Sequence, residues 1–427
     1  MRIAFIVGHF PRLSETFILN QVTGLIDRGH QVDIFSEYEG DWQRVHPDVE
    51  QYDLRQYTYP LHPVPASYGQ RFWQGARLAL TRWPQAPGRI VRSLNPLAHG
   101  RYALGLWTLY SSVSLIDQDW PAYDIVHCQF GTQGHRGWFL QRLMAPATKL
   151  VVMFRGHDIS SYVRQKGEDV YTDLFHAADA CLTNCNFFRQ RLIQLGCPAH
   201  KVAVHYSGLD IGKFDYQPRR LDPDGTIQLL TTGRLVEKKG IEYVIRAIAR
   251  LARRYDKLKY TIVGDGPLRG HFEDLIRNLG LENFVQLVGW QDEQALIHQL
   301  SQAHVFIAPS VTAEDGNQDA PINVLKEAMA IGLPVVSTRH GGIPELVQDS
   351  VSGYLVPERD VAALSDRIEQ LINSPERWPE MGQAGRTFVE QHFNLHMLND
   401  RLVTRYEELL RTKDPPPRSL PLANFPA

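Results

Sequence analysis

The chain has 427 residues, a formal net charge of -2 at pH 7, 43% hydrophobic residues and 22% charged residues. This length is long for one domain and sufficient for two domains with separate cores, and the near-neutral charge gives no overall reason to expect a nucleic acid partner. The four cysteines are too few and too scattered for a disulfide framework, and no histidine cluster accompanies them at zinc-binding spacing, so we expect reduced thiols and no metal site.

The first predicted strand and helix are joined by an unusual turn. RIAFIV predicts a strand, and FILNQVTGLIDRG predicts a helix that ends at Gly29. The turn between them, GHFPRLSETF, lacks the glycine-rich cradle through which such units usually bind phosphate. Ser14 is expected to be the N-cap of the helix with Glu15 in its first turn, where the acid would repel a phosphate. Contact with an acceptor substrate and an ordinary helix start both stay open for this turn.

The N-terminal run also bears on the location of the protein. RIAFIV is too short for the apolar region of a signal peptide, and no apolar run in the chain reaches membrane-spanning length. We therefore expect a cytoplasmic protein, with peripheral attachment to the inner face of the membrane as an open alternative.

Short β-branched runs alternate with helix-like segments along most of the chain. These runs are HQVDIFS, DIVHCQF, KLVVMFRG, ACLTN and KVAVHY in the first half, and IQLLTTGRL, YTIVGDG, FVQLVGW, HVFIAPS and LPVVSTRHGG in the second. The alternation predicts an α/β protein with two doubly wound, Rossmann-like parallel-sheet domains. The predicted segments are a first domain over 1–212 with an excursion at about 60–116, a linker over 213–226, a second domain over 227–385, C-terminal helices over 386–413 that could cross back to the first domain, and a loose tail over 414–427.

The excursion is rich in arginine and aromatic residues and lacks acids. No Asp or Glu occurs from Leu54 to Ile116. The alternating residues are Arg71, Arg77, Arg82, Arg89, Arg92, Arg101, Phe72, Trp73, Trp83, Tyr102 and Trp107. Their helical spacing in RFWQGARLALTRW is typical of interfacial helices, and it predicts binding to an anionic membrane or to an acceptor on a lipid diphosphate. A helical excursion packed on the first domain, with its arginines in water, is the alternative.

Charged residues follow two strands of the second domain, at the strand ends where doubly wound sheets bind ligands. Arg234 and Lys239 lie on the loop GRLVEKKG, from which they could reach one polyanion together. After HVFIAPS, a helix is predicted to start near Pro321, a residue suited to the first helical position. Asp319 precedes this helix, and Glu327 is expected about two turns into it. Two carboxylates and the positive end of a helix thus share one strand end.

The second half resembles family 4 of the retaining glycosyltransferases, which have the GT-B fold. The segments that carry the resemblance are GRLVEKKGIEYVIRA, IVGDGPLR, FVQLVGW, the loop from PS through DAPINVLKEAMA to PVVST, and GGIPELV followed by GYLV. They occur in this order over roughly residues 227–360, and their combination is very specific. The first half is similar, through SETFI, to a branch whose better-known members extend bacterial surface polysaccharides of the colanic acid type. The resemblance implies two domains that face each other across a cleft.

The resemblance also implies roles for the matching residues. Arg234 and Lys239 would hold the donor diphosphate, and Glu327 would bond the ribose hydroxyls. Asp319, where the family usually has Glu, would contact hydroxyls of the donor sugar. The further residues implied to line the donor site are Gly233, Gly264, Gly266, Val288, Gly289, Ile322 and Asn323. No cofactor is implied beyond the nucleotide diphosphate sugar itself, with UDP favoured over GDP, and no catalytic metal is expected.

The first domain departs from the family pattern at one turn. Family members commonly have a histidine in an F-H-G-x-D turn near the reacting sugar, whereas this chain reads FRGHD. Arg155 therefore takes the place of the histidine, and His157 follows two residues later. Arg155 could instead hold an acceptor phosphate or the leaving diphosphate, and which of the two residues takes the family role stays open.

Several other residues have structural interpretations. His127, in IVHCQF, is expected to pack at a strand end, and His205 and Asp210 are expected to shape the turn at the domain hinge. Gly341 and Gly342 are expected to permit a tight turn from strand to helix.

The resemblance implies the activity of a retaining hexosyltransferase, and this activity is expected to be independent of metals. Such an enzyme would move a sugar from a nucleotide diphosphate sugar to a carbohydrate acceptor, lipid-linked in the favoured interpretation, for polysaccharide or glycolipid synthesis. Fixed cations and backbone amides would stabilise the charge that grows on the leaving diphosphate. A transferase acting on a soluble acceptor such as a sugar phosphate, and a non-catalytic sugar-nucleotide binding protein, are the alternatives.

Overall fold

The structure is a computed structural model, and it describes residues 1–115, 120–144, 147–319 and 322–412. Within these residues the chain forms two sheets, one in each half, and every strand pair in both sheets is parallel. The predicted α/β class with two doubly wound domains is therefore confirmed. The tail predicted over 414–427 lies outside the described residues.

The first sheet has seven strands in the described part of the chain. They are β1 (Arg2–Phe10), β2 (Gln31–Glu39), β3 (Thr58–Pro60), β4 (Ile125–Cys128), β5 (Lys149–Phe154), β6 (Ala180–Thr183) and β7 (Val202–Val204). Their order is β3-β2-β1-β4-β5-β6-β7, so the direction of winding reverses between β1 and β4. Every residue of β4, β5 and β6 is buried, as expected for strands of a parallel sheet covered by helices on both faces.

The second sheet has six strands in the described part. They are β8 (Ile227–Thr232), β9 (Leu258–Val263), β10 (Val285–Gly289), β11 (Val305–Ala308), β12 (Val335–Thr338) and β13 (Gly353–Val356). Their order is β10-β9-β8-β11-β12-β13, and the winding reverses between β8 and β11. Ligands of such sheets bind in the crevice beyond the carboxyl ends of the strands at this reversal.

Helices connect the strands and cover both sheets. The first half contains α1 (Thr16–Ile26), α2 (Pro47–Gln51), α3 (Tyr68–Arg82), α4 (Pro87–Ser93), α5 (Pro96–His99), α6 (Arg101–Leu104), α7 (Trp107–Val113), α8 (Gly131–Met144), α9 (Ser161–Lys166), α10 (Thr172–Ala177) and α11 (Asn186–Gln194). The second half contains α12 (Ile241–Leu251), α13 (Arg269–Asn278), α14 (Glu293–Gln302), α15 (Asn323–Ala330), α16 (Val361–Ile372), α17 (Trp378–Phe393) and α18 (Leu395–Arg411).

Two predicted helix starts are corrected by the structure. Ser14 is not the N-cap of α1, because a 3-10 turn over Leu13–Glu15 precedes the helix and Glu15 takes the N-cap position without a side-chain hydrogen bond. In the second domain α15 begins at Asn323, and Pro321 lies outside the described residues. Glu327 is therefore the fifth residue of its helix, just over one turn from the start rather than two.

The last two helices belong to different domains. α17 packs against α15 of the second domain, whereas α18 crosses to the first domain and packs against α1. Leu402 and Tyr406 of α18 are buried in the core of the first sheet, and Asp400 pairs with Arg28 at 2.7 Å. A Cβ atom on Gly24 of α1 would lie 1.8 Å from the Asn399 side chain, so a glycine is needed for the close contact of the two helices. The crossing helix ties the chain's C-terminal part to the first domain.

The acid-free excursion forms a helical layer on the first domain. α3 packs on α7 through Gly75, and Ile90 of α4 joins Leu109 and Val113 in a small apolar cluster. Arg71 is buried in this layer and donates to the carbonyl oxygens of Pro65, Ala66 and Gly105. The expectation that Arg71 faces water or lipid is therefore wrong, because this arginine holds the loops around α3 together.

Candidate active site

The loops that carry the candidate site follow β8 and β11, the two strands at the winding reversal of the second sheet. Gly233 and Gly240 bound the loop after β8, with φ of 151° and 64°, in the region that favours glycine. A Cβ atom on Gly240 would lie 2.0 Å from the carbonyl oxygen of Pro309, so glycine is required where this loop touches the loop after β11. This close approach brings the lysines of the first loop to a carboxylate of the second.

Asp319 is that carboxylate, and it lies at the centre of a buried charge cluster. Its Oδ1 is 3.0 Å from Lys238 Nζ, and its Oδ2 is 2.8 Å from Lys239 Nζ. Ser310 Oγ donates to Oδ2 at 3.0 Å. Burial raises the pKa of Asp319, but the attraction of Lys239 and Lys238 outweighs this effect and holds the pKa well below its usual range. Asp319 is therefore a fixed anion that neutralises the lysine pair.

A histidine and a second acid hold the Asp319 segment in place. His340, directly after β12, accepts the backbone N–H of Asp319 on Nε2 at 2.9 Å, and its Nδ1 lies 2.6 Å from Glu358 Oε1. Because Nε2 is an acceptor, the ring proton belongs on Nδ1 and is donated to Glu358. Glu358 Oε2 also accepts the backbone N–H of Thr312 at 2.8 Å. Sequence reasoning missed this pair, although the His340 position at a strand end of the same sheet was a usable signal.

Glu327 has a buried oxygen without a partner. Its Oε2 is enclosed and makes no hydrogen bond within the described part of the chain. Burial raises the pKa of Glu327 to about 7, with the neighbouring Lys326 acting in the opposite direction. An unpaired buried acceptor costs about 1–3 kcal/mol, so this carboxylate is suited to receive hydroxyl donors from a ligand.

The two predicted phosphate-binding cations differ in their surroundings. Arg234 is exposed, and within the described residues its guanidinium has no hydrogen bond or ion pair. Lys239 is about 19% exposed and lies against Gly233 with its stem while its ammonium pairs with Asp319. Of these two cations at the carboxyl end of β8, Arg234 is therefore unpaired among the described residues, whereas Lys239 is held by a carboxylate.

The loops after β8, β9 and β10 touch one another through their backbones. Gly264 donates its N–H to the carbonyl oxygen of Gly289 at 2.8 Å, and a Cβ atom on Gly264 would lie 2.0 Å from the carbonyl oxygen of Gly233. A Cβ atom on Gly266 would lie 2.6 Å from the carbonyl oxygen of Leu235. The glycines predicted to line the donor site are therefore required first for these loop contacts, which build one wall of the crevice.

The side chains of the remaining predicted donor-site residues pack in the core or form a hydrogen bond within α15. Val288 is half-buried and packs against the apolar core that lies under α15. Ile322 is the N-cap of α15, and its side chain is part of the same core. Asn323 accepts from Lys326 Nζ through its side-chain oxygen at 3.0 Å. Contact of the Ile322 and Asn323 backbone amides with a donor stays a prediction.

Arg155 is a buried cation of the first domain. Its guanidinium donates to Ser207 Oγ at 3.0 Å and to Gln129 Oε1 at 2.7 Å, and it contacts Gln21 Oε1 at 3.4 Å. It also lies 4.3 Å from the ring centre of Phe17, and its Nε has no partner among the described residues. Burial lowers its pKa to about 10. Arg155 therefore stays charged at neutral pH without a carboxylate contacting its guanidinium.

The rest of the FRGHD turn is built by Asp158. Its Oδ1 accepts the backbone N–H groups of Arg155 and Gly156, and its Oδ2 accepts that of Gly131 at the start of α8. His157 is exposed, with the ring of Tyr162 as its aromatic neighbour. The turn thus directs Arg155 inward and His157 outward.

The opening turn of the chain is closed on itself in this conformation. Glu15 Oε1 accepts from Arg12 at 3.0 Å, and burial raises the pKa of Glu15 although Arg12 acts against this. The cavity beside them has a volume of about 10 Å³, which is room for one water at most. Contact of this turn with an acceptor stays a prediction.

Direct contacts join the two domains around the crevice. Glu345 of the second domain accepts the backbone N–H groups of Asn186 and Phe187, at 2.7 and 2.8 Å, at the start of α11 in the first domain. Lys326 Nζ donates to the carbonyl oxygen of Ser207 at 2.8 Å. Since the Ser207 hydroxyl accepts from Arg155, Ser207 links Arg155 of the first domain to Lys326 of the second, although the sequence places them far apart.

His127, Asp210 and Gly341, for which structural roles were expected, lie in the core or in turns. His127 is fully buried, and its Nδ1 lies 2.5 Å from the hydroxyl of Tyr406. Asp210 accepts the backbone N–H of Gly212 and so begins a short 3-10 turn after the hinge. Gly341 has φ of 51°, and a Cβ atom there would lie 2.1 Å from the carbonyl oxygen of Asp319. The turn after β12 is therefore tight, and it supports the Asp319 segment.

Two features are absent from the described residues. No helix in that part of the chain is long and apolar enough to cross a bilayer. In the same part of the chain, no group of three or more His, Cys, Asp or Glu side chains is arranged to hold a metal ion.

Solved structures share this architecture. HepE from Anabaena in complex with UDP superposes with a TM-score of 0.69 at 20% identity, over 96% of this chain and 100% of HepE. Sucrose-phosphate synthase from Thermosynechococcus elongatus gives a TM-score of 0.68 at 20% identity, over 96% of this chain and 99% of that enzyme. The fold is therefore the GT-B fold of glycosyltransferases.

Sequence comparisons identify the family of the chain. The model for Glycosyltransferase Family 4 matches residues 14–213, and the model for Glycosyl transferases group 1 matches residues 213–388. The amylovoran biosynthesis glycosyltransferase AmsK of Erwinia amylovora is 34% identical over 416 residues, which are 96% of this chain and all of AmsK. The putative colanic acid biosynthesis glycosyltransferase WcaL of Escherichia coli is 33% identical over 412 residues, 96% of this chain and all of WcaL. The chain thus belongs to the glycosyltransferase family that includes AmsK and WcaL.

Proposed function

We propose that this glycosyltransferase is a retaining hexosyltransferase that moves a sugar from a UDP-sugar to a lipid-linked carbohydrate acceptor in the synthesis of a surface polysaccharide. The observation that carries the proposal is that three groups follow β8 and β11, the neighbouring strands at the winding reversal of the second sheet: Lys239 paired with Asp319, and Arg234 and the Glu327 Oε2 atom, which have no partner among the described residues. The names of AmsK and WcaL, which refer to amylovoran and colanic acid biosynthesis, support a polysaccharide product.

The proposed donor site combines positively charged side chains for the diphosphate with a carboxylate for the ribose. Arg234 and Lys239 bind the diphosphate, while Glu327 accepts hydrogen bonds from the ribose hydroxyls. A ribose in this position would supply the donors that Glu327 Oε2 lacks. The solved complexes of HepE with UDP and with UDP-glucose support a uridine nucleotide as the donor carrier.

The proposed chemistry is cleavage of the bond between the sugar carbon and the diphosphate oxygen. Negative charge grows on the diphosphate as this bond breaks, and the positive charges of Arg234 and Lys239 stabilise that charge. Retention of configuration at the sugar carbon and independence from metals are adopted from the resemblance to family 4. Asp319 takes the sugar-contacting position of that resemblance, and it also sets the position of Lys239 through their ion pair.

The acceptor is proposed to approach from the first domain. Arg155 is a charged group without a carboxylate contacting its guanidinium, beside the hinge residue Ser207, and it is suited to an acceptor phosphate or to the leaving diphosphate. A lipid-linked acceptor would reside at the membrane. The excursion supports this location, since Phe72, Trp73 and Leu80 of α3 are 70, 69 and 76% exposed.

Separate experiments test the identity of the donor, the type of acceptor and the configuration of the product. Thermal stabilisation by a panel of nucleotide sugars should select UDP-sugars, since a ligand that binds only the folded protein raises its melting temperature. Transfer should then require a lipid-linked acceptor, persist in the presence of a chelator and give a product with the donor's anomeric configuration by NMR. Full turnover on a soluble sugar phosphate would replace the acceptor assignment, and donor binding without turnover on any acceptor would favour a binding protein.

A further inference from the structure

A cavity outside the interdomain crevice lies between the edge of the first sheet and the crossing helix α18. Its volume is about 290 Å³, and it is bounded by β6, β7 and one face of α18. Leu182 and Leu402 form part of an apolar floor, and Arg401, Arg405, His205 and Glu408 bring polar groups to it. None of the residues assigned to the donor site lines this cavity.

The two arginines of the cavity are unneutralised. Arg401 and Arg405 stand one turn apart on α18, and within the described residues neither has a salt bridge or a hydrogen bond from its side chain. Arg411 on the same helix differs, because it pairs with Glu407 at 3.3 Å. Two adjacent cations that share a cavity repel each other, and an anion between them would relieve this repulsion.

His205 adds a buried polar group to the same cavity. It is only 7% exposed, and its ring makes no hydrogen bond within the described residues. Burial lowers its pKa to about 3, and the positive charges of Arg155, Arg405 and Arg401 act in the same direction. The imidazole is therefore neutral, and it can donate one N–H to a bound anion.

We propose that this cavity binds the phosphoryl group of a small phosphorylated molecule. A phosphate monoester carries a charge of roughly -1.5 to -2 at pH 7, which matches two guanidinium groups, and arginine binds phosphate oxygens in a bidentate manner. The apolar floor and the volume, at the lower end for small-molecule pockets, fit a body of about the size of one sugar ring. Glu408, the acid at the rim, weakens the site without cancelling both arginines.

Occupation of the cavity would join two parts of the first domain. β7 is the edge strand that leads through His205 and Tyr206 into the hinge, and α18 returns from the second domain. Tyr206 also donates its hydroxyl to Glu345 of the second domain, at 3.2 Å. A ligand bound between these elements would hold α18 on the first domain, so binding should raise the melting temperature of the full-length protein.

The test is calorimetric titration of the full-length protein with inorganic phosphate and with glucose 6-phosphate. The double variant Arg401→Gln/Arg405→Gln should lose at least about tenfold in affinity for both probes, whereas Arg411→Gln should not change it. Glu408→Gln should bind more tightly than wild type by a few fold, because it removes the repelling charge. Tighter binding of glucose 6-phosphate than of inorganic phosphate would assign the sugar body to the apolar floor.

A separate variant distinguishes this cavity from the donor site. Lys239→Ala should leave the phosphate affinity of the cavity unchanged, so failure of the donor-site proposal would not affect the result. Phosphate binding that is lost in Lys239→Ala but kept in the double arginine variant would overturn the proposal. Unchanged affinity in Glu408→Gln together with the double variant would overturn it as well, and would show that phosphate binds elsewhere.

Discussion

Glu327 and Lys326 are adjacent in sequence, but their side chains have different surroundings. Lys326 Nζ donates to Ser207 O at 2.8 Å and to Asn323 Oδ1 at 3.0 Å, and it lies 4.9 Å from the ring centre of Phe393. Burial lowers the pKa of Lys326 to about 7, while burial raises the pKa of Glu327 to about the same value. Because Lys326 is engaged with the hinge, Glu327 Oε2 remains available for a ligand.

The raised pKa of Glu327 predicts a pH dependence of nucleotide binding. The ionised carboxylate is the form that accepts two ribose hydroxyl groups, and with a pKa of about 7 it becomes protonated as the pH falls through neutrality. Affinity for UDP should therefore fall by up to about tenfold per pH unit below pH 7 and level off above it. Calorimetry of wild type and Glu327→Gln from pH 5.5 to 8.5 checks this. Glu327→Gln should bind UDP weakly at every pH. If its affinity for UDP instead changed with pH as that of the wild type does, the assignment would be contradicted.

Arg234 and Lys239 should each be needed for turnover and not for folding. Each is proposed to stabilise charge on the leaving diphosphate, and loss of one such contact costs on the order of 3 kcal/mol of barrier, or about a hundredfold in kcat. Steady-state kinetics of Arg234→Ala and Lys239→Ala measure the loss, with circular dichroism melts to verify the fold. Arg250→Ala, an exposed arginine on α12, is the matched control and should keep wild-type rates. Wild-type rates in the two loop variants would refute the role.

Asp319 has two proposed effects that one variant can separate. Asp319→Asn removes the carboxylate that is proposed to contact the donor sugar, and it also frees Lys238 and Lys239 from their counter-ion. Free UDP should therefore bind as well as to wild type or better, while the additional affinity of the sugar nucleotide should be lost. Competition calorimetry with UDP and UDP-sugars measures both. Equal weakening of the two ligands would show that Asp319 acts on the nucleotide alone.

At the scale of elements, α3 combines a structural face with an exposed face. Arg71 and Gly75 face inward, and the guanidinium of Arg71 lies 5.6 Å from the ring centre of Trp107. Phe72 and Trp73 face outward with most of their surface exposed. An exposed aromatic face without acids is typical of helices that lie at a membrane interface.

The exposed face of α3 should bind anionic membranes. Phe72→Ser/Trp73→Ser should strongly reduce sedimentation with phosphatidylglycerol vesicles, and Arg77→Gln should reduce it more modestly and mainly at low salt, since each basic residue near the surface contributes roughly 1 kcal/mol. Arg71→Gln should lower the melting temperature, because Arg71 is structural. UDP binding should be unchanged in the surface variants. Wild-type protein that ignores anionic vesicles would contradict the membrane location.

At the scale of the whole molecule, the two domains meet through a few polar contacts around the crevice. Glu345 joins the second domain to the start of α11, and Arg164 Nη1 donates to the carbonyl oxygen of Glu314 at 2.8 Å. α18, near the C-terminus, follows the second domain and packs against α1 of the first domain. Contacts this small permit a hinge motion, which substrates of a two-domain enzyme use to enter and leave.

Glu345 should control how far the domains open. Glu345→Ala removes the acceptor for the amides of Asn186 and Phe187, so the free enzyme should open further. Small-angle scattering should show a larger radius of gyration, and kcat should fall while UDP affinity changes little, because the proposed donor site uses residues of the second domain. Glu358→Ala offers a contrast, since Glu358 supports His340 within one domain and should leave the scattering curve unchanged.

Much of the second domain follows from local sequence. Each strand of the run from IQLLTT to PVVST was predictable from its β-branched residues, and the charged residues after these strands were predicted at the sheet edge because parallel strands end there together. That Arg234 and Lys239 lie on one loop could be predicted from their closeness in the sequence alone. The shift of the helix start from Pro321 to Asn323 shows where local signals end, because Ile322 enters the core and keeps an extended backbone.

Other features depend on contacts between distant segments, and only the tertiary structure decided them. The pairing of Asp319 with two lysines about eighty positions earlier, the support of its backbone by His340, and the burial of Arg71 arise when separate loops are packed together. Sequence periodicity reports which face of an element is apolar, but it does not report which polar groups meet after folding. The sequence by itself thus determined the fold class and the location of the charged loops at the ends of β8 and β11, while packing decided which of these charges are paired and which are left free.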